Sequence, residues 1–266
     1  VVESVHYRPA QGTKIRYMAS QMNSQSRKTA ATIAEKAMDP DLLLNREGSQ
    51  EDKIKILDLS VEYLQYRYGK KKIPRDDYTS LFLRILKARS TQGRPDGFEY
   101  AVPPPVSPEQ GHDSGRVSLG LGYGEDRSFQ EIRIRPAYHD LMDDDAGYVP
   151  GSQIQFCDTR VRYYDAERKL DLEAFHLIDI ISLSERDSFF KPFSWKAQTG
   201  LMQKRRSDGD NHLIYYLSTG GGVAYRNRFL GLYYGIIESD LNVAGSFDSN
   251  HALGAGASMG MQKQIT

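Results

Sequence analysis

Residues 111–124 read Gly-His-Asp-Ser-Gly-Arg-Val-Ser-Leu-Gly-Leu-Gly-Tyr-Gly, and beyond a polar turn residues 128–138 read Ser-Phe-Gln-Glu-Ile-Arg-Ile-Arg-Pro-Ala-Tyr. Side chains alternate along an extended chain. Val117, Leu119, Leu121 and Tyr123 therefore share one face, and Ser118, Gly120, Gly122 and Gly124 the other. The second run sets Ile132 and Ile134 against Glu131, Arg133 and Arg135. Two alternating runs about a short polar turn spell a β-hairpin. Glycine weakens a strand interior, so a glycine-rich face suits a tightly curved wall or a close backbone approach. Apolar outside with charge inside is the two-residue repeat of a transmembrane barrel. A half-solvated soluble sheet gives the same alternation, and the hairpin alone leaves both open.

The theme repeats downstream. Strands are expected at 153–164, 170–183, 194–204, 212–226, 229–239 and 252–264. The last sets Leu253, Ala255, Ala257, Met259 and Met261 against Ala252, Gly254, Gly256, Ser258 and Gly260. Several exceed the ~5–6 residues usual in globular strands and approach the ~9–11 that cross a bilayer. The chain has 17 tyrosines, many near strand ends, as in an interfacial aromatic girdle or from plain β propensity. The expected fold class is mainly β: an antiparallel up-and-down β-barrel of the outer-membrane type, whole or truncated, after a small helical subdomain. The connections alternate short and long, as in outer-membrane barrels, but the first is short where a periplasmic N-terminus predicts a long one. An additional strand near residues 98–102 would restore the order. The chain opens on Val-Val-Glu-Ser-Val and stops inside a strand at Thr266, so a fragment or mature segment is expected.

Upstream, residues 1–8 read as a short strand closed by Pro9, followed by helices at 13–20, 26–38, 50–68 and from Asp76 or Asp77 to about Ser90. Ile54, Leu57, Val61 and Leu64 recur at helical spacing, and Gly69 stands where a C-cap belongs. Pro40 forbids continuation of the second helix. Residues 96–110 hold Pro103-Pro104-Pro105 and read as an extended linker. The expected domains are thus 1–95, helical with an N-terminal strand; 96–110, the linker; and 111–266, the barrel.

Composition narrows the function classes. Lys+Arg and Asp+Glu number 35 each, with a mildly basic first 100 residues and an acidic remainder. No basic block or basic-aromatic interleaving points to nucleic acid. Cys157 is the only cysteine, which excludes an intrachain disulfide and a multi-cysteine metal site. Its neighbour Asp158 is acidic and supplies no activating positive charge, so a structural role is expected. No run of about 18 apolar residues offers a transmembrane helix.

Several stretches together resemble the C-terminal region of the large Gram-negative relatives of the lipoprotein N-acyltransferase Lnb. They are Val-Glu-Ser-Val-x-Tyr-Arg-Pro at 2–9, Leu-Asp-Leu-x-x-x-Tyr-Leu-Gln-Tyr at 57–66 and Gly-His-x-Ser-x-Arg-x-x-Leu-Gly at 111–120. Arg-Pro-Ala-Tyr-His-Asp-Leu at 135–141, Ala-Gly-Tyr-x-Pro-Gly-x-Gln-Ile at 146–154, and residues 177–184 and 186–195 continue the match. The resemblance implies an envelope location and a barrel-like C-terminal module. In that family a thiol-dependent catalytic module lies upstream; no cysteine–histidine pair of it is matched here, so the resemblance carries no acyltransferase activity onto these residues.

Two loops offer chemistry. On a strand, His112 and Ser114 would share a face, and a serine needs a base within hydrogen-bond reach to become a nucleophile. The pair is similar to the His-x-Ser motif of outer-membrane phospholipases. That motif continues with Asn-Gly, whereas Gly115-Arg116 stands here and no orienting Asn is matched. The bland alternative is that these residues terminate the strand. The second loop, Tyr138-His139-Asp140 with Asp143-Asp144-Asp145, could offer calcium oxygen ligands from Asp143 and Asp145, with Gly147 for the turn; its spacing is not that of an EF-hand, and a solvated acidic loop is the alternative. Arg133, Arg135, Arg160 and Arg162 with Glu131 and Asp158 would pair and fill a barrel interior, and His176 reads as a satisfied core residue. The reading is a non-catalytic outer-membrane anchor without cofactors, its helical segment in the periplasm, its partners outer-membrane lipid and the upstream domain of the same polypeptide. The alternatives are an acyl-ester hydrolase using His112 and Ser114, or a soluble periplasmic β domain that binds a protein.

Overall fold

A computed structural model gives the fold; it describes residues 7–93, 100–124, 127–205, 211–247 and 249–263. The chain divides into two compact units, Val1–Pro105 and Val106–Thr266. The division falls within the proline-rich stretch.

The first unit is helical: α1 (Gln11–Ser20), α2 (Ser24–Ala34), α3 (Pro40–Leu44), α4 (Gln50–Gly69) and α5 (Arg75–Ser90). Ile15, Met18, Ile33, Ile54, Leu57, Leu59, Leu64 and Ile85 fill its core, each withdrawn from solvent. Side chains cap three of the helices: Asn23 accepts from Ser26 N, Asp39 from Asp41 N and Ser49 from Asp52 N. Three expectations need correction. Pro40 ends nothing; it is the first residue of α3, where its missing N–H costs no bond. Gly69 is the last helical residue, and Lys71, at φ 57°, takes the left-handed position beyond it. Asp76 and Asp77 lie inside the first turn of α5, favourably placed toward the helix dipole, and Pro74 precedes the helix. Most of the strand expected at 1–8 lies outside the described residues.

The second unit opens with a 3-10 turn (Pro108–Gln110) and continues into a nine-stranded sheet. The strands are β1 (Arg116–Gly124), β2 (Arg127–Arg135), β3 (Ala137–His139), β4 (Ser152–Tyr164), β5 (Lys169–Ser182), β6 (Ser194–Arg205), β7 (Asn211–Asn227), β8 (Gly231–Val243) and β9 (His251–Gln262). Their order is β1-β2-β4-β5-β6-β7-β8-β9, every pairing antiparallel, with β3 continuing β2 along β4 after a break at Pro136. The meander is thus mainly β and up-and-down, as the alternation predicts. It is not closed: among the described residues β1 and β9 are not paired. The first hairpin is shorter than expected, because strand pairing starts at Arg116 and leaves residues 111–115 irregular. The strand that would restore the loop order is not seen at 100–102, and residues 98 and 99 lie outside the described set.

The two faces of the sheet differ sharply. Inward lie Glu131, Arg133, Arg160 and Arg162: Arg133 grips Asp158 with Nη2–Oδ2 at 2.6 Å, and Arg162 pairs with Glu131 at 2.8 Å and Glu173 at 3.1 Å. Lys196 meets Glu238 at 2.6 Å, and His176 Nδ1 contacts the Tyr216 hydroxyl at 2.5 Å. Outward lie Leu119, Leu121, Ile132, Ile237, Leu253 and Met259, all exposed. Asp158 is 1% exposed while Leu121 and Met259 are 87% exposed. Cys157, at φ 54°, shifts the phase of β4, so Gln153 and Gln155 point inward before it and Asp158, Arg160 and Arg162 after it. Gly122 on the inner face of β1 makes room for an aromatic ring: a Cβ there would run into the Phe129 ring, itself covered by the Arg162 guanidinium at 4.2 Å.

Candidate functional site

The end of the sheet where the chain enters β1 carries the long connections, 140–151 and 183–193. Leu183, Ala224, Leu232 and Ile236 form a buried apolar cluster there, with Leu141 from the first connection packed against it. Gln262 at the end of β9 donates to the Leu141 carbonyl. Loop 140–151 is therefore held at both its apolar side chain and its backbone.

Four side chains of chemical interest converge beside it. His139 ends β3, opposite Ile154, and is 2% exposed. His112 precedes β1; Tyr138 N donates to the Ser114 carbonyl at 2.8 Å and docks this irregular segment along β3. Asp143 and Asp145 come from the loop, where the Asp140 backbone N–H donates to Asp143 Oδ2 at 2.9 Å. Gly147, at φ 79°, turns the chain back so that Tyr148 stacks on His139, centroids 4.0 Å apart and planes 1° apart, and on His112 at 4.7 Å. The Tyr148 hydroxyl donates to the His112 carbonyl at 3.0 Å. Gly111 has to be glycine, because a Cβ would stand 2.8 Å from the Tyr148 ring and 2.9 Å from the Ala146 carbonyl.

The polar atoms face one another. His112 Nε2 lies 2.9 Å from His139 Nδ1 and 3.7 Å from Asp143 Oδ2. One ligand atom from each of His112, His139 and Asp143 falls within 4.8 Å of the others, so the three could hold one metal ion. His139 Nε2, on the far side of the ring, is 3.6 Å from Asp145 Oδ1 and has no hydrogen-bond partner among the described residues.

The structure brings together His112, Asp143 and Asp145 from the sequence-derived candidates. It does not engage Ser114 with His112: Nδ1 of His112 lies 2.7 Å from the Asp113 carbonyl, Nε2 faces His139, and Ser114 is exposed. His139 is the member of the cluster that the sequence reading leaves out. Its signal was the imidazole at the head of the acidic loop, but only the fold places it against a histidine 27 positions earlier.

Residues 105–266 match a family model described as a domain of unknown function, DUF7840. The chain belongs to the DUF7840 family. The match takes in the whole β unit and all four residues of the site. Residues 5–101 match a second model, DUF7842, likewise a domain of unknown function. Neither description connects the DUF7840 or DUF7842 region to the Lnb relatives. No curated protein and no solved structure matches the chain.

Proposed function

We propose that the β unit is a non-catalytic outer-membrane module, a barrel that closes β1 onto β9 and anchors the chain in the cell envelope. One observation supports this above the rest: the sheet is inverted, with ion pairs on its sheltered face and large apolar side chains on its exposed one. Water stabilises the opposite arrangement, since each buried charge is costly and each exposed leucine forgoes ~2 kcal/mol of burial. A hydrocarbon surround reverses both preferences.

The outward face also has the banding a bilayer selects. Tyr123, Tyr163 and Tyr215 lie toward one end of the strands, and Trp195, Tyr225 and Tyr233 toward the other. Tyr215 and Tyr225 are ten residues apart in β7, about 33 Å along the strand and about 25 Å along the normal at the usual barrel tilt. The apolar belt of outer-membrane barrels is about 25 Å tall. With β2 and β3 counted as one broken strand the meander is even-numbered, so β1 and β9 run antiparallel and offer complementary edges. Both carry small residues inward and large apolar residues outward. Within this reading an upstream Lnb-like enzyme domain is the partner to be anchored.

The test is partitioning. Expressed in a Gram-negative host, the protein should stay with outer membranes through a carbonate wash and migrate faster on gels when unboiled. Release into the soluble fraction with no heat shift would remove the membrane assignment and leave a soluble partner-binding sheet.

A further inference from the structure

We propose that His112 Nε2, His139 Nδ1 and Asp143 Oδ2 bind a divalent transition-metal ion of the zinc type, with Asp145 orienting His139 from behind. Proton bookkeeping leads there. A carbonyl oxygen only accepts, so the 2.7 Å contact with Asp113 O puts a proton on His112 Nδ1 and leaves Nε2 as a bare lone pair. His139 then has two neutral forms. With its proton on Nδ1 it satisfies His112, but Nε2 becomes a buried lone pair facing the Asp145 carboxylate. With its proton on Nε2 it can donate toward Asp145, but two lone pairs then meet at 2.9 Å. Neither neutral arrangement satisfies both contacts, and a cation between the rings satisfies both.

A second proton on His139 would serve the two ring contacts alone; the third atom, Asp143 Oδ2, 3.7 Å from His112 Nε2 and already taking the Asp140 N–H at 2.9 Å, is what points past a proton to a metal ion. A metal ion engages all three. Two imidazole nitrogens on one tetrahedral zinc stand about 3.3 Å apart, a few tenths of an ångström beyond the separation seen here. Metal-bound histidines have their far nitrogen supported by a backbone carbonyl or a carboxylate; His112 has that support in full from Asp113 O, and His139 Nε2 has the Asp145 carboxylate facing it at 3.6 Å, just outside hydrogen-bond reach. Imidazole with one carboxylate favours zinc-like ions over calcium, which prefers six to eight oxygens. The pairing of Asp143 with Asp145 as joint calcium ligands is thus replaced by two different roles. Three protein ligands leave a fourth position for water or another small oxygen ligand.

The experiment is metal titration of the tag-free full chain in detergent, with zinc followed by calorimetry and cobalt(II) by its visible absorption. The expected result is one equivalent of zinc and the absorption of a four-coordinate cobalt site. Asp143→Asn, at a half-buried loop position, should weaken zinc binding at least tenfold, and Asp145→Asn about 10–100-fold through His139. Asp144→Asn and Cys157→Ser should leave affinity unchanged. His139→Gln should abolish binding; because His139 is buried, Asp143→Asn is the variant that decides if that protein fails to fold. A native chain with intact circular dichroism that takes up no zinc or cobalt would show that the histidines share a proton and overturn the site. Native-like affinity in Asp143→Asn, or loss of binding in Cys157→Ser, would overturn the ligand set.

Discussion

The helical unit and the β unit are built from one alphabet with opposite rules. Around α4, Ile54, Leu57 and Leu64 are buried and charge lies outside; in the sheet, Leu119 and Leu121 are exposed while Asp158 is hidden. Burial of apolar surface drives the folding of the first unit. The second keeps its charges on the sheltered face, where Arg133, Arg162 and Lys196 all find carboxylates. The difference teaches that one alphabet can place apolar side chains on the sheltered side in one unit and on the exposed side in the other; the proposed membrane seat of the β unit accounts for that reversal.

The comparison can be broken most forcefully at Asp158. Asp158→Ala leaves the Arg133 guanidinium without its bidentate partner and should cost about 3–5 kcal/mol of β-unit stability, read from the denaturant midpoint of the β unit. Leu57→Ala opens a cavity in the helical core and should cost about 3 kcal/mol in the helical unfolding transition. Leu119→Arg sharpens the contrast. Four residues from Tyr123 and near the middle of the proposed belt, it should cost about 2–4 kcal/mol in lipid, whereas on a solvated sheet an exposed leucine exchanges for arginine at almost no cost.

The smallest effect is a pH slope in the helical unit. Burial pushes the Asp58 carboxyl above its ordinary 3.8, against the opposing hydrogen bond from Arg89 at 2.8 Å. The folded state therefore holds this proton more tightly than the unfolded chain. That contribution is fully present below 3.8 and is lost as pH rises through the raised folded value. Asp58→Asn should flatten the slope, measured by urea unfolding across the acidic range.

Much of this was legible in the sequence. Period-two alternation placed the strands from β4 to β7 within a residue or two of their ends, because each strand has one face that must differ from the other. The inward arginines and carboxylates were legible for the same reason. The open edges were not: edge pairing depends on neighbours in space, and the alternation of β1 and β9 is identical whether the edges meet or stay open. The phase shift at Cys157 was written in the residues, as polar positions pass from Gln153 and Gln155 to Asp158 and Arg160. It needed a left-handed cysteine that no propensity would suggest. At the site, His112, Asp143 and Asp145 drew notice by type. The partnership with His139 comes from β3 lying beside the 111–115 segment, a tertiary contact without a local pattern.

Trp195 is the only tryptophan and sits on the outward face at the start of β6, opposite Ser182 and Gly221. Its fluorescence in vesicles containing bromine-labelled lipids tests the inverted sheet most directly. A membrane-seated face predicts strong quenching by bromines placed near the headgroup end of the acyl chains and weak quenching by iodide in the water. Free quenching by iodide, with indifference to every brominated lipid, would contradict it.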